Sequence, residues 1–338
     1  MVHWDRKGAR RRVMIQIGIL LVLISIIALT YERKSSGLDR DAKPLQLLGK
    51  EILPLKEISG MAVLNEGGES QIVAIGDDKA KVFWLKTNVD QSFKELMVER
   101  FSLCQTEDFD ECNKMIKKLT KNWEALAIDG AHKLFALQEH SQTIVVMNRE
   151  LTAIEHVLHF NFGEAFSDAV AKGARKVRKN ALGEGMILLK NGHVLIAKEN
   201  FPVTLVEFGP EGQDALGLNP NTVLSEGESF AMSEPFHNRL VPLHSWTLAT
   251  HGKCDISDLA LDKDRQLLAL SEDCLTIQRY KTLEVSQEPK LSEVYILPGE
   301  IQSPEGLVAV GDEWFVGSDV ASKKHFNFYR LRAQSSLK

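Results

Sequence analysis

One phrase occurs five times in this chain, and few folds can accommodate it. The clearest copy spans Leu182 to Asn200. It reads as an acidic residue (Glu184), a small residue (Gly185), an apolar run (Met186–Leu189), Asn191-Gly192, a second apolar run (Val194–Ala197) and a second acidic residue (Glu199). Asn-Gly between two apolar runs predicts a hairpin, because both residues tolerate the positive φ of a type I′ turn. The other copies begin at Ser59-Gly60-Met61, Glu124-Ala125-Leu126, Ser257-Asp258-Leu259 and Glu305-Gly306-Leu307. Their second strands end near Asp78, Glu139, Glu272 and Asp319. The copies recur every ~45–75 residues, the range of propeller blades carrying insertions.

A strand stands before the first copy with no partner of its own. Ile52-Leu53-Pro54 precedes the first copy and Ile296-Leu297-Pro298 the last. This predicts ring closure, with a strand near Leu47–Leu55 as the outermost strand of the last blade. The expected fold is therefore all-β, a five-bladed propeller over 45–332 with a six-bladed ring as the alternative, followed by a tail, 333–338. The fourth strand of the first blade is expected near Leu96–Leu103. Three insertions interrupt the plan: 104–122, a helical basic stretch at 163–181, and the Gly-, Pro-, Asn- and Ser-rich 210–239.

The N-terminus has a different character. Val13 to Leu29 is uncharged and mostly apolar, and Arg6, Lys7, Arg10, Arg11 and Arg12 precede it. This predicts a cytoplasmic basic tail (1–12), a single transmembrane anchor (13–30) in a bacterial inner membrane, and a polar linker (31–44), with the propeller periplasmic. A cleaved signal peptide is the rival reading. Beyond residue 12 the chain holds 36 basic and 45 acidic residues, a net charge of −9. That balance argues against a nucleic-acid partner. Cys104, Cys112, Cys254 and Cys274 permit two disulfides in an exported domain, or four free thiols.

The phrases around Ser59-Gly60-Met61, Glu124-Ala125-Leu126, Glu184-Gly185-Met186 and Glu305-Gly306-Leu307 resemble the SdiA-regulated family of bacterial envelope proteins. Ala197-Lys198-Glu199 and Leu270-Ser271-Glu272 resemble its blade-end signature. The resemblance covers roughly residues 45–332. It implies a five-bladed propeller, distantly related to NHL-repeat proteins and associated with calcium. The chain departs from the pattern at Ala125 and at Ser257-Asp258. Phytase-associated esterase-like propellers share similar Glu-Gly phrases.

In a propeller the residue before each innermost strand sits at a mouth of the central channel. Ser59, Glu124, Glu184, Asp258 (or Ser257) and Glu305 are the five expected there. Carboxylates and hydroxyls are hard oxygen donors of the kind calcium takes, six to eight at ~2.3–2.6 Å. The structural alternative has each Glu capping backbone amides while Gly permits a tight turn. Two functions follow. One is a membrane-anchored, calcium-associated propeller that binds a small molecule or an envelope protein. The other is a metal-dependent phosphoester, ester or lactone hydrolase using the channel carboxylates. An open polar pocket above a metal favours the enzyme, and a mouth covered by 163–181 or 210–239 favours binding. No nucleophile elbow, Walker loop, zinc-protease motif or dinucleotide fingerprint is present.

Overall fold

The computed structural model describes residues 42–76, 81–86, 91–95, 114, 116–165, 183–199, 202–232, 239–320 and 324–333. The expected tail, the anchor, most of the linker, Asp78, Cys104, Cys112 and the strand near Leu96–Leu103 lie outside these residues, as does most of the 163–181 insertion. Among the described residues no helix is long and apolar enough to cross a membrane.

Each copy of the phrase folds as a hairpin that grows into an antiparallel meander. After β1 (Lys43–Glu51) come β2 (Ile58–Glu66), β3 (Glu69–Gly76), β4 (Lys81–Lys86) and β5 (Gln91–Glu95), which form one four-stranded sheet. The fourth strand of this sheet is thus Gln91–Glu95, just before the stretch expected from the sequence. The second sheet is β6 (Trp123–Ile128), β7 (Leu134–Gln138), β8 (Thr143–Met147) and β9 (Ile154–His159). The third is β10 (Gly185–Leu188), β11 (Val194–Lys198), β12 (Thr204–Gly209) and β13 (Val241–Thr247). The remaining strands are β14 (Asp258–Leu261), β15 (Leu267–Ser271), β16 (Thr276–Tyr280), β17 (Leu291–Ile296), β18 (Pro304–Val310), β19 (Glu313–Ser318) and β20 (Phe328–Ala333). With β1 they form one eight-stranded sheet in the order β14-β15-β16-β17-β1-β20-β19-β18.

Local chemistry sets the hairpins. Asn191 (φ 56, ψ 23) and Gly192 (φ 78) both take left-handed backbone, and the His193 N–H donates to the Lys190 carbonyl at 3.1 Å. This is the expected type I′ turn. The strands are apolar on both faces because each sheet is covered twice. Separate apolar clusters fill the spaces between successive sheets. Phe135, Leu137 and Val146 of the second sheet meet Val194, Ile196 and Phe208 of the third. Leu195 and Leu205 meet Leu267 and Tyr280. Val73 and Ile75 meet Leu134 and Val145. Leu268 and Ile277 meet Trp314 and Leu331, and Ile72 and Phe83 meet Phe315 and Phe328.

The innermost strands pack side by side in a closed cycle: β2 on β6, β6 on β10, β10 on β14, β14 on β18, and β18 back on β2. Antiparallel meanders arranged around such a cycle make a β-propeller. β1 closes it. Leu45 to Glu51 pair antiparallel with Ala333 to Phe328, while Lys43 and Pro44 pair parallel with Tyr295 and Ile296. The closing strand therefore starts slightly earlier than the sequence suggested and also stitches β17 to β20. Buried Asn327 fixes the chain that follows: it accepts from the Leu53 N–H at 2.7 Å and donates to the Leu53 and Leu55 carbonyls at 3.2 and 2.6 Å. Cys254 and Cys274 form a disulfide with Cα atoms 5.4 Å apart.

Candidate functional site

The candidate residues stand at one structural position. Strand register skips a residue between Ile58 and Gly60, between Trp123 and Ala125, and between Pro304 and Gly306. Ser59, Glu124 and Glu305 are the extra residues of β-bulges, which re-aim the side chain they carry. In β10 the Glu184 N–H bonds the carbonyl of Ala197, the partner of Gly185. In β14 the Ser257 N–H bonds the carbonyl of Leu270, the partner of Asp258. The equivalent set is therefore Ser59, Glu124, Glu184, Ser257 and Glu305, and Asp258 stands where the other copies carry Gly or Ala.

That small residue is required by the neighbouring strand. A Cβ on Gly60 would lie 2.9 Å from the Ala125 Cα, and one on Gly185 would lie 2.6 Å from the Leu259 nitrogen. The glycine thus lets adjacent inner strands approach, instead of forming the tight turn expected from the sequence. Asp258 solves the same junction differently. Its carboxylate accepts from the Leu307 N–H at 2.7 Å, across to the next inner strand, and from the Leu259 N–H at 2.7 Å. The serines reach across in the same direction: Ser257 Oγ donates to the Pro304 carbonyl at 2.7 Å and Ser59 Oγ to the Trp123 carbonyl.

Glu184 stands in a crowd of like charges. Burial pushes the Glu184 carboxyl well above the usual range, and the charges of Glu124, Glu139, Glu199 and Glu305 push it further. Glu199 is pushed up to about 7, first by burial and then by Asp255, Glu139 and Glu272, against the opposing charge of Lys198. Burial also raises Asp255, although the Ser271 hydroxyl and the Asp273 N–H oppose it. Glu124, Glu184 and Glu305 of the first acidic set and Glu139, Glu199 and Glu272 of the second thus lie at one end of the ring, where like charges compete for protons. This donor set has the charge that suits a cation. Among the described residues, however, no three His, Cys, Asp or Glu side chains form a group that would hold a metal ion. Ser59 and Asp258 are engaged between strands. As placed, these residues do not form a ready calcium cage.

A cavity of about 580 Å³ lies within the ring and extends away from the bulges. Its walls come from Met61–Asn65, Leu126–Gly130, Met186–Leu188, Leu259–Lys263 and Leu307–Ala309, and none of the bulged residues lines it. Each inner strand ends a sheet, so its channel-side backbone edge has no ladder partner. The side chains along the wall are mostly apolar, with Asn65 among them and Asp129, His132, Asp262, Lys263 and Arg265 at the rim.

Sequence reasoning missed this rim, although a signal was present. Asp129 and Asp262 each open an inner-hairpin turn in which one carboxylate oxygen accepts two amides. For Asp129 these are Ala131 at 3.0 Å and Lys133 at 2.9 Å; for Asp262 they are Asp264 at 2.9 Å and Gln266 at 2.8 Å. Aspartate favours such turns for this reason. His132 (φ 62) and Arg265 (φ 58) occupy the same left-handed place in the two turns and both line the rim.

The 210–239 insertion supplies the remaining rim residues, Val223–Gly227. Its base is held by a buried pair. His193 Nδ1 meets Glu207 Oε1 at 2.6 Å and His193 Nε2 meets Gln213 Oε1 at 2.8 Å. Glu207 also accepts from the Leu216 and Gly217 amides at 2.7 and 2.9 Å. The Glu207 and Gln213 bonds raise the His193 pKa against its burial. His193 thus anchors a loop, in keeping with a packing role.

No family model matches the chain, and no curated protein matches it. Several solved structures align with it at low identity and with TM-scores below 0.5. Regucalcin from Agrobacterium tumefaciens, described as a calcium-binding protein, aligns with a TM-score of 0.46 at 8% identity over 88% of this chain and 98% of its own. Myxococcus xanthus glutaminyl cyclase aligns with a TM-score of 0.46 at 10% identity over 88% of this chain and 100% of its own. The PQQ-bound aldose sugar dehydrogenase of Streptomyces coelicolor aligns with a TM-score of 0.42 at 11% identity over 87% and 100%. At this distance none of their activities transfers.

Proposed function

We propose that this protein is a five-bladed propeller, anchored in a bacterial inner membrane by residues 13–30, that binds a small ligand in its central cavity without turning it over. The eight-stranded sheet is read as two blades joined through β1. The observation that carries the binding function is the cavity of about 580 Å³, walled mostly by apolar side chains and strand edges and roofed on one side by Val223–Gly227. Pockets of this size suit small molecules. The charged groups stand at the rim, so the ligand body is uncharged. The hydrolase alternative has less support, because the carboxylates it needs lie outside the cavity.

The compartment rests on the basic flank before Val13 and is supported by the Cys254–Cys274 disulfide, a bond that suits an oxidising environment. Kinship with the SdiA-regulated family rests on the repeated phrase alone. Calcium association is a further part of the reading. Its support is the crowding of Glu124, Glu139, Glu199 and Glu305 around Glu184, and binding would require these side chains to draw together.

The test is a thermal-shift screen of the detergent-purified chain against uncharged small molecules, repeated with Ala309→Phe, which fills the cavity wall. Hits that stabilise the unaltered protein and fail on Ala309→Phe support the reading. Hits indifferent to Ala309→Phe, or turnover of an ester, lactone or phosphoester, would overturn it.

A further inference from the structure

Residues 216–230 run across one end of the channel as a strap, and hydrogen bonds anchor it at both ends. Leu218 and Leu283 exchange backbone hydrogen bonds at 3.0 and 2.8 Å, tying the strap to the β16–β17 connection. The Lys190 N–H donates to the Thr222 carbonyl at 2.8 Å, tying it to the β10–β11 turn. Arg265 donates to the Pro220 carbonyl at 3.0 Å and to the Leu224 carbonyl at 2.6 Å. At the far side the Gly130 N–H donates to the Glu228 carbonyl at 2.8 Å, and the Phe230 N–H donates to Asp129 Oδ2 at 3.0 Å. Phe230 is buried edge-on against Phe135, their ring centres 5.1 Å apart.

Between these anchors lies a short closed turn. Gly227 has φ 78, the Glu228 N–H donates to the Ser225 carbonyl at 3.0 Å, and the Ser225 N–H donates to Glu228 Oε2 at 2.9 Å. The turn rests directly on the second sheet: a Cβ on Gly130 would stand 2.1 Å from the Gly227 carbonyl carbon and 2.3 Å from the Glu228 nitrogen. A segment held from both sides, with a hydrogen-bonded turn between its anchors, is a fixed rim and not a hinged flap. Val223–Gly227 line the cavity beside Arg265 and His132, and no bulged residue reaches the cavity from the other end.

We propose that the strap is a fixed aperture that admits ligands to the central cavity by width, with Arg265 and the Gly130–Gly227 contact as its specificity-determining supports. The inference rests on the cavity being the binding site, but its test needs no ligand. Ala309→Cys places a thiol on the cavity wall of the full chain, and the unaltered chain supplies the background from native thiols. Labelling is followed with iodoacetamide and with bulky fluorescein maleimide, each relative to a thiol introduced on the exposed surface at Ser286.

With the strap intact, iodoacetamide should modify the cavity thiol while the maleimide is excluded. Arg265→Gly removes the guanidinium at a position whose left-handed φ suits glycine. It should raise the maleimide rate about tenfold, the factor that accompanies about 1.4 kcal/mol off the barrier to entry, and leave the iodoacetamide rate unchanged. Gly130→Ala, which lifts the turn from the opposite side, should do the same. Equal labelling by both reagents with the strap intact would overturn the proposal. So would exclusion that persists in both variants while their melting curves remain cooperative. Should Arg265→Gly unfold, Gly130→Ala decides alone. A cavity that binds nothing would still show the width limit, so failure of the binding function and failure of the aperture are told apart.

Discussion

The Asp258 carboxylate accepts the Leu307 N–H at 2.7 Å, joining two neighbouring inner strands through a side chain that is 2% exposed. Its other oxygen holds the Leu259 N–H at 2.7 Å. Asp258→Ala should leave both amides buried without partners, at a cost of about 1–3 kcal/mol each. Urea unfolding should show a lower midpoint with an unchanged slope. Adding calcium should not restore the loss. A midpoint equal to that of the unaltered protein would mean that the carboxylate does not link the strands.

Much of the fold is legible because its signals are local. Asn191-Gly192 announces its own turn, and the alternation of strands and acidic ends repeats within each hairpin. The strand before Ser59 announces closure because it has no hairpin partner. What the sequence hides is set by neighbours distant along the chain. Nothing near Gly185 says that the Leu259 backbone will approach it, and nothing near Asp129 says that Phe230 will donate to it. The acidic residues were legible as a set. Their end of the ring is not the cavity's end, because the bulge re-aims one residue and the wall is built from those that follow it.

The glycine at this junction makes a graded prediction. Gly185→Ala would place a Cβ 2.6 Å from the Leu259 nitrogen, which is backbone and cannot step aside. Gly306→Ala would meet first the Met61 Cγ at 2.9 Å, part of a flexible side chain. Overpacking of this kind costs about 1–3 kcal/mol. Gly185→Ala should therefore fall at the high end of that range and Gly306→Ala near or below its low end, measured by chemical unfolding. Equal losses would remove the role assigned to strand approach.

Closure of the ring can be tested by removing β1. Without Lys43–Glu51, the edge of β20 loses its antiparallel partner and β17 loses its parallel one. Unpaired edges are templates for association. A chain lacking residues 43–51 should aggregate on purification or melt far earlier. A soluble monomer with unchanged melting would show that β17 and β20 need no bridge.

The acidic end makes stability depend on pH, and the sign follows from the shifts. Burial and neighbouring charge raise Glu199 from its usual 4.5 to about 7 and raise Glu184 as well. The folded state therefore holds protons that the unfolded chain has already released. Its advantage is complete below about pH 4.5 and is lost as the pH rises toward about 7 and beyond. His193, whose pKa is also raised, adds a loss of the same sign above its ordinary 6.5. The melting temperature should thus fall from about pH 5 to about pH 8. Glu184→Gln and Glu199→Gln should flatten the lower part of that fall, while the His193 contribution persists above it. Calcium supplies the discriminating arm. If a cation takes the place of the missing protons, calcium should raise the melting temperature at the alkaline end, where the carboxylates are charged, and much less at the acid end. At one hundred times the dissociation constant the stabilisation is about 2.7 kcal/mol, and Glu184→Gln should remove most of it. A flat calcium titration at the alkaline end, after chelator has stripped the protein, would leave these glutamates as proton-holding groups and end the calcium reading.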